Sequence, residues 1–135
     1  MSDVSALSHE YQTSAKLAEE LNEAILALKK ARLHHRSGLT HDQRQRLAET
    51  LAAVRSRLTN ESNAPAAGVP EELVERLIGR HGSEMAYFLE DLSEARKSLA
   101  DPGTPVNDDT VNLLDEICDA ADQTASSMFR RMRRR

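Results

Sequence analysis

The chain has 135 residues, a formal net charge of −4, 39% hydrophobic and only 3% aromatic residues. That length suits one domain with a real core. A lone cysteine, Cys118, excludes an intrachain disulfide, and no apolar run approaches a membrane span. With no signal-like opening segment, the expected home is a reducing, cytoplasmic compartment.

Seventeen leucines and eighteen alanines face six valines and three isoleucines. Unbranched helix formers thus supply the apolar content, and the β-branched and aromatic residues a sheet would use are scarce. The composition predicts an all-α fold.

In chain order, the first helix is expected from about Ser5 to His34. Leu7, Tyr11, Ser14, Ala18, Leu21, Ile25 and Leu28 step by four and three, a heptad seam. Leu17, Ala24 and Ala31 widen it into a stripe that faces a bundle. Ser37-Gly38 breaks the pattern, with Gly38 suited to the left-handed end of a helix. Thr40 to Gln43 reads as a capping box opening a second helix from His41 to about Leu58, on Leu47, Leu51, Val54 and Leu58. So short a connection predicts an antiparallel hairpin over about 5–58.

Residues 59–70, small, polar and twice broken by proline, read as a linker. Pro70 pre-sets a third helix from Glu71 on Leu73, Val74, Leu77 and Ile78. Gly79 and Gly82 weaken it, and Ser83 can cap a fresh start on Met85, Phe88, Leu89, Leu92, Ala95 and Leu99. Asp101 to Pro105 stops that helix. The last one begins between Pro105 and Asp109, capped by Thr104 or Asn107, with Asp108 and Asp109 suiting its positive end. Val111, Leu114, Cys118, Ala121, Ala125, Met128 and Met132 form its seam. A second hairpin over about 71–132 and a basic tail at 130–135 complete the chain. The expected architecture is four to five helices in two antiparallel hairpins forming a bundle within a single domain. A second copy can complete that bundle.

Charge is segmented along the chain. Residues 29–57 hold eight basic and two acidic side chains, residues 84–122 hold eleven acidic and two basic, and five of the last six residues are arginine. Two basic clusters follow as candidate binding sites. One is the first hairpin's tip, with Lys29, Lys30, Arg32, Arg36, Arg44 and Arg46 around a turn, where the free amides opening the second helix favour an anion. The other is the tail, Arg130, Arg131, Arg133, Arg134 and Arg135. Arginine forks suit phosphate oxygens, so DNA or RNA is one expected partner. An acidic protein surface, including residues 84–122 of another copy, is a second. The two clusters act together only if the fold brings them to one end. With no interleaved aromatics, any nucleic-acid contact would read backbone rather than bases. Met128, Phe129 and Met132 form an apolar group beside the arginines. It reads as the end of the core or as an anchor entering a partner's groove.

Catalytic signals are sparse. Arg36-Ser-Gly-Leu-Thr-His41 resembles the arginine, four residues, histidine motif of the HEPN ribonucleases, which are also small all-α domains. The resemblance covers six residues. In that family the pair usually opens a helix late in the domain, whereas here it sits early and spans a glycine. It implies ribonuclease activity. As metal ligands, His34, His35 and His41 make no complete zinc set, and no histidine follows an acid at di-iron spacing, so no metal or cofactor is expected. Asp115, Asp119 and Asp122 share a helical face that reads as solvated. Cys118 reads as a small seam hydrophobe. The sequence therefore points to a non-enzymatic helical subunit or adaptor of a larger assembly, itself a homo-oligomer, working through its tip and tail.

Overall fold

The computed structural model describes residues 2–34, 38–59 and 68–134, and the side chains of all these except residues 2–6 and 32–34. Most of the 59–70 linker, together with His35, Arg36, Ser37 and Arg135, lies outside the described residues. The described chain is α-helical: α1 Ser2–His34, α2 His41–Thr59, α3 Glu71–His81, α4 Met85–Ala100 and α5 Asp108–Arg133, with a 3₁₀ turn Gly82–Glu84 between α3 and α4.

Two of the predicted caps are present. Thr40 and Gln43 exchange bonds: the Thr40 amide donates to Gln43 Oε1 at 2.9 Å, and the Gln43 amide donates to Thr40 Oγ1 at 3.1 Å. Asn107 caps α5 by accepting from the Thr110 amide at 2.9 Å. Ser83 caps nothing; it lies inside the 3₁₀ turn, and α4 starts without a side-chain cap. Gly38 does not take the left-handed conformation either; among the described glycines only Gly68 and Gly82 have positive φ. Its lack of a side chain serves space instead. A Cβ there would lie 3.1 Å from Leu28 Cδ2 and 3.2 Å from Ala31 Cβ, so glycine lets the chain return tightly over the end of α1.

The helices form four rods. Glu72 of α3 reaches Arg131, Arg80 reaches Asp119 and His81 reaches Glu116, so α3 runs antiparallel to the C-terminal half of α5. Past the Gly82 break, α4 continues along its N-terminal half. The two hairpins close on each other. The tightest pairings cross between them, α1 with α5 and α2 with α4. Small residues explain the first. Ser14, Ala18, Ala121 and Ala125 are buried in the seam, and the helices come so close that Cys118 Sγ donates to the Ala18 carbonyl at 3.3 Å. Ser14 is fully buried, and its hydroxyl finds no hydrogen-bond partner among the described residues. By contrast α1 and α2, neighbours in sequence, are separated by open clefts.

Leu21, Leu51, Leu73, Leu77, Leu92, Leu99, Leu114 and Ile117 are fully or almost fully buried at the centre. Each such side chain contributes about 1.5–3 kcal/mol relative to exposure. Ile78 departs from the expected face and is 48% exposed. Leu73, Val74 and Leu77 already fill the buried side of α3, and the next residue turns a further ~100° toward solvent.

Candidate interaction surfaces

The tip and the tail sit at opposite ends. The turn from α1 to α2 lies beside residues 98–104, just ahead of α5, whereas the tail ends α5. That helix has 26 residues, which at 1.5 Å each puts ~39 Å between them. The described members of the two clusters therefore make no common basic surface.

The tip is also weaker than its charge suggests. Arg44 is not a free cation. Its Nε donates to the Leu99 carbonyl at 3.0 Å, and its Nη2 donates to the carbonyls of Ser98, Asp101 and Thr104, each at 2.7 Å. The guanidinium thus caps the end of α4, where carbonyls lack helical partners and the dipole favours a cation. The Thr40 hydroxyl holds the Gln43 amide that an anion would need. Arg46 lines a cleft of about 270 Å³ with Glu19, Glu20 and Glu23. Lys29 and Lys30 are exposed. The Arg32 side chain and Arg36 lie outside the described residues, so of the Arg36 and His41 pair only His41 is described, exposed on the first turn of α2.

At the tail, Arg131 pairs with Glu72 of α3, and Arg133 sits over the Phe129 ring, 5.8 Å from its centroid. Arg130 and Arg134 are exposed and make no ion pair among the described residues. Met128 is not an anchor: it is fully buried and belongs to the core. Phe129 is 42% exposed, packs against Tyr11 with centroids 5.7 Å apart, and has half-buried Met132 beside it. An aromatic pair rimmed by arginines therefore closes this end.

The flanks are acidic. A groove of about 720 Å³ between α1 and α5 has Ala15, Ala18 and Ala125 in its lining, carboxylates Glu19, Asp115, Asp119 and Asp122 beside them, and Phe129 and Arg130 at one end. Asp119 accepts from Arg80 and Gln123. Cys118, half-buried in this groove, has its thiol pKa raised by burial first and then by Asp115, Asp122 and Asp119, which suits packing rather than nucleophilic attack. On the far side, His81 stacks on Phe88 at 3.8 Å with Nε2 2.7 Å from Glu116 Oε1. Among the described residues no group of three His, Cys, Asp or Glu is placed to hold a metal, and no helix is long and apolar enough to cross a membrane.

Sequence reasoning missed the Arg44 cap and the ion pairs of α3 with α5. The Arg44 acceptors are carbonyls 54–60 positions away. Every residue has a carbonyl, so no residue type marked them. The architecture is that of an antiparallel helical bundle. No family model, curated protein or solved structure matches the chain.

Proposed function

We propose that this chain is a non-enzymatic helical subunit or adaptor that works by association, with the C-terminal end of α5 as its principal contact. Phe129 is the apolar anchor, and Arg130, Arg133 and Arg134 form the rim that meets an acidic protein surface. One observation carries the reading: the exposed Phe129 ring, packed on Tyr11, and arginines that make no ion pair among the described residues meet at one end of a bundle whose other cationic cluster lies at the far end. Aromatic and arginine side chains are the types that dominate protein interfaces. The carboxylates along the neighbouring face of α5 would repel a nucleic-acid backbone lying alongside. A shorter phosphate contact through the tail alone is the second reading, favoured by the unpaired Arg130 and Arg134.

The test compares the full chain with its Phe129→Ala and Arg130→Glu/Arg134→Glu variants in affinity capture with and without nuclease. A fluorescence anisotropy salt titration on duplex DNA and RNA, with and without residues 130–135, runs beside it. Nuclease-resistant partners lost in both variants support the protein reading. Low-salt nucleic-acid binding whose salt slope falls on truncation supports the second. Capture and nucleic-acid binding both indifferent to these residues would sink both.

A further inference from the structure

The exposed face of α5 is ordered by charge. Asp115, Asp119 and Asp122 occupy its middle, Ser126 follows, and Arg130 and Arg133 close it; all six are exposed and recur at helical spacing. The order is antisymmetric. The midpoint of Asp119 and Arg130 falls between Thr124 and Ala125. Those of Asp115 with Arg133, and of Asp122 with Ser126, both fall on Thr124. Turning the helix end for end about that level therefore lays acids over arginines and arginines over acids.

We propose that this face binds a second copy of the chain, the two α5 helices antiparallel about a two-fold axis passing over the helix at Thr124. Asp115 of each copy then faces Arg133 of its partner, and Asp119 faces Arg130. Asp122 meets the small Ser126 rather than another charge. Parallel apposition would stack like charges along the whole face, so only the antiparallel form is favourable. That contact is isologous and closes at two copies. The proposal rests on the association reading above and names its acidic surface. A polyanion or a purely acidic partner complements the arginine half alone and is repelled by the aspartates; a reversed copy complements both halves at once. Phe129, 42% exposed beside this stripe, supplies apolar area for the same contact, and the alanines lining the α1/α5 groove allow close approach. Asp119 keeps its bonds to Arg80 and Gln123 in this arrangement, since a carboxylate offers about four acceptor sites.

Sedimentation equilibrium of the full chain tests this, at low ionic strength and at about 0.5 M salt, where charges are screened within a few ångströms. A dimer that weakens in salt is expected. Arg130→Glu/Arg133→Glu is expected to weaken dimerisation about tenfold or more, and Asp115→Arg/Asp119→Arg likewise. Mixed one to one, these two variants place opposite charges at both the 115/133 and the 119/130 levels and are expected to form a heterodimer. If the second variant folds poorly once its Arg80 bond is gone, Asp115→Arg with Arg133→Glu as its mate carries the same cycle. Wild type monomeric at low salt, variants that dimerise like wild type, or a mixture that stays monomeric would each overturn the two-fold contact. A monomeric protein whose tail still captures a nuclease-resistant partner loses the self-contact while the association reading stands. If charge reversal changes neither dimerisation nor capture, both fall.

Discussion

Replacing Arg44 by methionine keeps most of the side chain's apolar stem and removes its fork. Four carbonyls at the end of α4 and in the following turn then lose their donor, three of these bonds being partly buried. A hydrogen bond to a charged group is worth about 1.5–3 kcal/mol taken singly. The four share one guanidinium, water reaches the exposed Asp101 carbonyl, and effects within one network do not add. A loss of about 3 kcal/mol is therefore expected, which lowers Tm by roughly 10 °C for a chain of this size. Urea denaturation followed by circular dichroism measures it, with the midpoint falling and m unchanged. Arg44→Lys keeps the charge but not the geometry and should recover less than half of the loss. Arg46→Met, two residues on and on the exposed side, is the control and should stay within about 0.5 kcal/mol of wild type. If Arg44→Met is as mild as Arg46→Met, the cap does not hold the hairpins together and the account of the tip fails.

Met128→Ala, at a fully buried site, should cost about 2–5 kcal/mol, whereas Phe129→Ala should weaken association far more than stability; the reverse ranking in paired melts and binding assays would contradict the division between core and anchor. Ser14→Ala removes a buried hydroxyl without a described partner and should raise stability by about 1 kcal/mol, so a measured loss would mean that the hydroxyl is satisfied. Asp101 accepts from the Thr104 hydroxyl and the Gly103 amide, which hold its pKa below the ordinary carboxylate value. A lowered folded pKa adds stability above the unfolded value and loses it as pH falls through the folded one. The stability gap between wild type and Asp101→Ala should therefore be present at neutral pH and narrow on acidification below about pH 4; a gap unchanged down to pH 2 would refute it. RNA incubated with wild type and His41→Ala should remain equally intact, and cleavage by wild type alone would favour the ribonuclease motif.

Much of the fold was legible because helices are local objects. The seam of α1 and the cap pairs Thr40–Gln43 and Asn107–Thr110 depend on residues a few positions apart, and the sequence displays them directly. Which rods touch is not local. The α1 and α5 seams were both visible, yet their mutual partnership rests on small residues at matching heights on helices far apart in the chain. The same limit hid the site. Arg44 and Arg46 look alike in sequence, but one meets four carbonyls and the other faces a cleft. Met128 and Phe129 are adjacent, yet one helical step turns the first into the core and leaves the second half in water. Arginine identity was readable; arginine availability was set by tertiary contacts.

The pairing of α1 with α5 bears on biosynthesis. Ribosomes elongate at about 5–20 residues per second, and the end of α5 follows the end of α1 by 99 positions. For some 5–20 s a nascent α1 thus presents its leucine stripe with no mate yet made. A holdase that shelters amphipathic segments on the ribosome would meet this chain early, and stalling ahead of Asp108 should leave an aggregation-prone fragment.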